Sequence, residues 1–221
     1  MSTVLIIGAS RGLGWEFAAQ YAAAGWRVIG TARSEAGISR LRDLGVEALS
    51  LDVSDPASVS SLSWRLDGEK LDLALYVAGA MDKASALTPP TREAFDAVMH
   101  ANVLGAMQVI PQIAPMVQEA RGTLVCLSSR MGSLTLTESG DAWLYRVSKA
   151  ALNMVVRTAQ ASHADMAVVA MHPGWVQTDM GGPAAPLTPQ ASVTAMRATL
   201  AALKPKHQGQ FLSYDGTSLA W

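Results

Sequence analysis

Four apolar residues, Val4 to Ile7, run directly into Gly8-Ala9-Ser10-Arg11-Gly12-Leu13-Gly14, and a helical apolar period starts at about Leu13 and runs to Ala24. A β-rich run that becomes a helix within so few residues needs a backbone able to fold back sharply, which glycine permits. The same turn leaves the first N–H groups of the helix, and the positive end of its dipole, free to favour a pyrophosphate. An ordinary glycine-rich turn is the competing reading, because the spacing Gly-x-x-x-Gly-x-Gly differs from the commoner dinucleotide fingerprint.

The rest of the chain repeats the alternation. Val28-Ile29 precedes a helical stretch from Ser34 to Leu44 and a further β-rich run, Val46 to Leu51, which makes βαβαβ. Asp55-Pro56 reads as a cap with proline at the first helical position and opens a helix to Leu66, ahead of a strand over Leu71 to Ala78. Thr91 and Glu93 open a helical stretch that passes Asn102 and reaches Gln118, with a bend or break expected near Pro111. Strands over Thr123 to Leu127, Ala167 to Met171 and around Phe211 alternate with helices over Ala142 to Ala161 and Pro189 to Leu203. The pattern predicts an α/β fold: a single-domain, Rossmann-type, doubly wound parallel sheet of about seven strands with helices on both faces, spanning 1–221. Only 16% of the residues are charged, against the usual quarter, as a sheet covered on both sides requires. In such sheets the ligand crevice lies beyond the carboxyl ends of the strands, where the glycine-rich turn stands.

Composition and charge narrow the function classes. Lys plus Arg number 17 against 18 for Asp plus Glu, so no net field attracts a polyanion and nucleic-acid binding is not expected. No apolar run nears the roughly 18 residues needed to span a bilayer, and no export signal is evident. The single Cys126 rules out an internal disulfide, so a cytoplasmic protein without membrane contact is expected.

An acid about 20 residues past a glycine-rich turn would hold the ribose 2′-hydroxyl of NAD, but Thr31-Ala32-Arg33 stands there. Arg33, and Arg11 within the turn, can both be aimed at a 2′-phosphate, which favours NADP(H) over NAD(H). Gly8-Ala9-Ser10-Arg11-Gly12 also matches the Gly-x-Ser-x-Gly elbow of serine hydrolases. Against it, the residues before Gly8 are too few for an upstream oxyanion loop, and none of His100, His163, His172 and His207 has an evident triad setting.

Tyr145 and Lys149 lie four apart at the start of a predicted helix and share one face. An ammonium beside a phenol favours the phenolate and draws the tyrosine pKa toward working pH, making a usable acid or base. Ser128 and Ser129 end a predicted strand, where alternation lets only one of them point at a substrate. Asn102 sits among apolar residues, so its amide needs a partner. His172, before Pro173, reads as a buried, satisfied histidine. No histidine pair has metal-ligand spacing, and no metal is expected.

Taken together, Gly8 through Gly14, Leu51-Asp52-Val53, Ala78-Gly79, Asn102, Ser128-Ser129, Tyr145 to Ala150, and Pro173-Gly174-Trp175-Val176 with Thr178 resemble the short-chain dehydrogenase/reductase family over nearly the whole chain. Ser128 to Ser133, Ser148 to Asn153 and His172 to Met180 are similar to its C-factor and carbonyl-reductase-like branch. The resemblance implies a catalytic set of Asn102, Ser129, Tyr145 and Lys149. In that set Tyr145 gives a proton to a carbonyl oxygen as NADPH delivers hydride to the carbon, and Ser129, or Ser128 in its place, holds the oxygen. Lys149 binds the nicotinamide ribose, and Asn102 holds a relay water through its backbone carbonyl. Implied cofactor contacts are Gly8, Ser10, Arg11, Gly12, Leu13, Gly14, Arg33, Asp52, Val53, Ala78, Gly79, Tyr145, Lys149, Pro173, Gly174, Val176 and Thr178. Asp52 would accept from the adenine amino group, and Thr178 would touch the nicotinamide amide. The family's usual Asn-Asn-Ala-Gly after strand four is Tyr76-Val77-Ala78-Gly79 here, so local sheet and cofactor anchoring must differ.

Met180 to Thr188, rich in proline and glycine, is a candidate lid. Met131, Trp143, Trp175 and Met180 are candidates to line an apolar pocket for small aldehydes and ketones. The expected activity is reversible NADPH-dependent reduction of such a carbonyl to an alcohol. The alternatives are a dinucleotide-binding signalling or sensor protein with little turnover and the Ser10 hydrolase. The family's habit of pairing through the helices bearing Asn102 and Tyr145 implies a homodimer or homotetramer.

Overall fold

Successive residues of the first strand bury against opposite layers: Val4 and Ile6 pack with Phe17, Ile38 and Leu41, whereas Leu5 and Ile7 pack with Val109, Ile113 and Leu152. That period of two is what a sheet covered on both faces demands. The computed structural model describes residues 1–203 and 207–221. It contains β1 (Thr3–Ile7), β2 (Arg27–Ala32), β3 (Glu47–Ser50), β4 (Leu73–Tyr76), β5 (Thr123–Leu127), β6 (Ala167–His172) and β7 (Phe211–Ser213). They form one sheet of order β3-β2-β1-β4-β5-β6-β7, parallel throughout. The α/β, doubly wound reading of the sequence holds.

One face carries α1 (Gly12–Ala23), α2 (Glu35–Asp43) and α8 (Pro189–Ala201). The other carries α3 (Pro56–Ser60), α4 (Leu62–Arg65), α6 (Gly105–Glu119) and α7 (Trp143–Ser162), while α5 (Arg92–Met99) leads into α6. The helix starts read from sequence are capped as their side chains dictate: Asp55 accepts from Ala57 N–H and Thr91 from Ala94 N–H. The strand order reverses between β1 and β4, and this opens the crevice. There the chain is tied across the gap, because the Ile7 carbonyl accepts from both Val77 N–H (2.9 Å) and Ala78 N–H (3.0 Å).

Two helical expectations are corrected. The stretch after Asp55 is broken at Ser61 into α3 and α4. The stretch through Asn102 is interrupted at His100–Leu104, which winds as a π-turn, and α6 then runs unbroken through Pro111 and Pro115. Both prolines lie on the exposed stripe of α6 with Met107, so the carbonyls they leave unbonded, four residues back, face solvent instead of the core. Among the described residues no helix is long and apolar enough to cross a membrane.

Candidate active site

The turn after β1 is built from close backbone contacts. Gly8 adopts φ +90°, and a Cβ there would lie 2.9 Å from the Ala78 backbone. A Cβ on Gly14 would overlap the Gly8 carbonyl oxygen. Arg11 stands at the N-cap of α1 in extended conformation without capping it, so the first N–H groups of the helix remain open to the crevice. Gly12 adopts φ +53°, and a Cβ there would meet nothing nearer than the Thr178 methyl at 3.6 Å. A cradle of uncapped amides, with glycines where side chains would intrude, fits a dinucleotide pyrophosphate.

The crevice has a volume of about 1120 Å³. That exceeds the roughly 300–1,000 Å³ of single small-molecule pockets and leaves room for an extended cofactor and a second molecule. Ser10, Arg11, Gly12, Leu13, Arg33, Asp52 and Val53 line it, together with Ala78, Gly79, Tyr145, Lys149, Pro173 and Thr178. Arg40, Lys83, Asp96 and His100 also face it; no motif in the sequence singles these out for a site. Asp52 Oδ1 accepts from Ser54 N–H (2.9 Å) and Oγ (2.6 Å). Burial pushes its carboxyl up, but the Ser54 bonds and the Arg33 charge outweigh that and hold it below the usual range.

Tyr145 lines the crevice, and Ser129 stands close enough to its phenol to pull the pKa down. Ser128 instead donates to Asn153 Oδ1 at 2.6 Å, inside the core. Ser128 is nevertheless the serine that lines the crevice, whereas Ser129 accepts from Met131 N–H at 3.1 Å and is the one that acts on the phenol. Lys149 is buried, donates to the Leu127 carbonyl at 2.8 Å, and stands 5.6 Å from the centre of the Tyr145 ring. The expected lowering of the tyrosine pKa is not what this geometry gives. Burial pushes the phenol up to about 12 against the pull of Ser129, and burial brings the lysine down to about 8. Tyr145 is therefore a protonated donor at neutral pH.

Asn102 is completely buried and bonded at both ends of its amide: Nδ2 donates to the Ala80 carbonyl and to Ser148 Oγ, both 2.8 Å, and Oδ1 accepts from Ala80 N–H at 2.7 Å. Ser148 in turn donates to the Tyr145 carbonyl at 2.7 Å. The amide clamps the crevice wall after β4 to α7, and both of its N–H donors are used in doing so. Ser148 and Ala80 are the partners that sequence reasoning missed; Ser148 lies inside the Tyr145-Lys149 spacing, but nothing in the pattern says that it faces Asn102.

Of the four proposed pocket residues, Met180 lines the crevice and Met131, Trp143 and Trp175 do not. Trp175 is turned outward, 56% exposed, with its indole N–H donating to the Gly181 carbonyl at 2.8 Å. Met131 belongs to the 3₁₀ turn Arg130–Gly132, and Trp143 opens α7 with its backbone N–H on the Ala84 carbonyl. Gly174 and Val176 shape the loop without lining the crevice: Gly174 adopts φ +83°, and Val176 bridges Leu187. The candidate lid is braced by that bridge and by Gln177 Nε2 donating to the Ala185 carbonyl at 2.9 Å.

His172 departs from the satisfied histidine expected, because its Nδ1 is buried without a partner among the described residues. Burial and the Arg130 charge hold its pKa down at about 4. The unfolded chain, with an ordinary value near 6.5, binds more protons between those limits, so stability falls as pH drops from about 6.5 through 4. The gap corresponds to about 3 kcal/mol at most, and His172→Gln is expected to flatten that part of a stability-against-pH curve. An acid limb of equal size in the variant would remove His172 as its cause.

Residues 8–210 match the profile of the family described as "Enoyl-(Acyl carrier protein) reductase". At full length the chain is 32% identical to 1-hydroxy-2-glutathionyl-2-methyl-3-butene dehydrogenase of Rhodococcus sp. (strain AD45), covering 100% of both. The chain belongs to the short-chain dehydrogenase/reductase family. Within that family it lies in the carbonyl-reductase-like branch. It is 43% identical to the C-signal protein of Myxococcus xanthus over 54% of this chain and 74% of that one. The NADPH-bound carbonyl reductase from chicken fatty liver superposes with a TM-score of 0.91 at 30% identity, covering 100% of this chain and 99% of that one. A short-chain dehydrogenase/reductase uses a nicotinamide cofactor, and this assignment sets aside the Ser10 hydrolase.

Proposed function

We propose that the chain, as one unit over 1–221, is an NADPH-dependent carbonyl reductase that converts small aldehydes or ketones to alcohols, reversibly. The observation that carries the reading is the protonated Tyr145 hydroxyl beside Ser129, facing a crevice that has room for both a dinucleotide and a substrate. When bound, the reduced nicotinamide supplies the hydride. Tyr145 donates its proton to the substrate oxygen, and the Ser129 hydroxyl holds that oxygen and favours the developing alkoxide. Lys149 holds the nicotinamide ribose and its charge eases the return of a proton to Tyr145. Asn102 contributes its backbone carbonyl to a water relay, while its side chain fixes the wall. Thr178 would meet the nicotinamide amide, and Asp52 would accept from the adenine amino group.

NADP over NAD is supported by Arg11 and Arg33, two cations that line the crevice. Arg11 is paired with Asp179 at 3.1 Å, but with the two side chains 67% and 80% exposed this bond is weak enough to be exchanged for a phosphate. Arg33→Ala is expected to raise the Kd for NADPH about 20-fold, the scale of one charge-assisted hydrogen bond, and the Kd for NADH less than twofold. Equal losses for both cofactors would remove the phosphate argument. A homo-oligomer is supported by the exposed Leu104, Met107, Val147 and Met154 on the π-turn, α6 and α7. The balanced charge suits a cytoplasmic protein acting on small molecules rather than on nucleic acid.

NADPH oxidation measured on a panel of small aldehydes and ketones, for wild type and Tyr145→Phe, tests the reading. The likeness to C-signal favours the second reading, a dinucleotide-binding signalling protein. It prevails if wild type binds NADPH tightly and is no faster than the variant on any compound.

A further inference from the structure

The π-turn at His100–Leu104 leaves a specific debt in the backbone. In an α-helix Gly105 N–H would bond the Ala101 carbonyl four residues back, but here it bonds the His100 carbonyl, five back. The Ala101 carbonyl has lost its helical donor. The Tyr76 hydroxyl, at the end of β4, donates to it at 2.7 Å. Tyr76 is 1% exposed, so no water substitutes for that bond. Gly105 completes the fit: a Cβ there would run into the Tyr76 hydroxyl and lie 2.8 Å from the Val53 carbonyl oxygen. A tyrosine and a glycine on different elements thus fit one another at the point where the helix changes register.

The register matters to the crevice. Asp96, Ala97, His100 and Ala101, at and before the turn, line it. Asn102, inside the turn, holds Ala80 by two bonds and Ser148 by one. Taking the extra residue out of the turn would rotate everything before it by about 100° around the helix axis. That rotation cannot keep both the crevice wall and the Asn102 clamp in place.

We infer that Tyr76 is a positioning residue: its hydroxyl, by taking the Ala101 carbonyl, holds the π register that aims Asn102 at Ala80 and Ser148 and sets the cofactor wall. The inference rests on the proposed NADPH site for its functional consequence, but not for its structural one.

Tyr76→Phe keeps the buried ring and removes only the hydroxyl. Amide hydrogen exchange of Ala80, whose N–H is held by Asn102, is expected to speed up about tenfold, the scale of one buried hydrogen bond. The Kd and KM for NADPH are expected to rise about tenfold while kcat changes less than threefold. Tyr21→Phe, which removes a buried tyrosine hydroxyl from the opposite layer, serves as control and leaves all of these at wild-type values. If Tyr76→Phe lowers Tm but leaves either Ala80 exchange or NADPH affinity unchanged, the hydroxyl only supports the core and the inference is overturned. Should wild type bind no NADPH, the cofactor reading fails instead, and Ala80 exchange then decides the positioning role by itself.

Discussion

Tyr145→Phe is expected to lower turnover on the best carbonyl substrate about 1,000-fold while leaving the Kd for NADPH within twofold. The size follows from what general acid catalysis contributes, roughly 10²–10⁴. With its pKa pushed up to about 12, the hydroxyl of Tyr145 is protonated throughout the neutral range and ready to donate. Without it, Ser129 can still hold the substrate oxygen, but no second group in the set is placed to deliver the proton. Lys149 is drawn back onto the Leu127 carbonyl, 5.6 Å from the ring centre, and cannot stand in. The phenyl ring preserves packing against the crevice, so affinity for the cofactor and the melting temperature move little. Single-turnover measurements with NADPH bound isolate the chemical step. A variant that retains a tenth of the wild-type rate would show that the proton comes from elsewhere.

What could be read from sequence was whatever depends on a local period or a local turn. The apolar runs of β1, β4, β5 and β6 stand out because a parallel strand buried on both faces has no polar side to disguise it, and the caps Asp55 and Thr91 act within three residues of themselves. The glycine turn was legible for the same reason. The π-turn was not, because one extra residue in a helix leaves its composition unchanged; the cause is Tyr76, remote in the chain, and only the departure from the family's Asn-Asn-Ala-Gly hinted at it. Pro111 attracted the break instead, since sequence does not tell which face of α6 is wet.

Orientation of side chains at the site divides along the same line. Ser128 and Ser129 are neighbours that are both buried, and alternation separates their side chains without saying which is held by Asn153 and which acts on the phenol. Trp143, Trp175 and Met131 were chosen for being apolar near catalytic motifs, but their directions are fixed by loop contacts, such as the Trp175 bond to Gly181, that no period encodes. The tyrosine pKa went the other way from the expectation because spacing reveals a neighbouring charge but not burial, and here burial is the larger effect.

Gly14→Ala sets two known tendencies against each other, and their magnitudes decide the outcome. Alanine in place of a glycine inside a helix gains roughly 0.5–1 kcal/mol, and no positive φ at Gly14 opposes the change. The new methyl, however, overlaps the Gly8 carbonyl oxygen and comes within 3.0 Å of Ala9 Cα, both backbone atoms that have no rotamer to move. Gly8 cannot retreat, because Ala78 already stands against it and Ile7 is tied to Val77 and Ala78. Overpacking of this kind costs about 1–3 kcal/mol, so the net effect is a loss of about 1–2 kcal/mol and a Tm lower by roughly 2–8 °C. The displaced turn carries the amides meant for the pyrophosphate, so NADPH affinity is expected to fall at least about 100-fold. Gly68→Ala provides the contrast: at φ +78° with nothing within 4 Å, it costs about 1 kcal/mol of backbone strain far from the crevice. Calorimetry is then expected to show two variants of similar stability, with only Gly14→Ala losing the cofactor. Equal NADPH binding by both would mean that the turn after β1 does not hold the pyrophosphate.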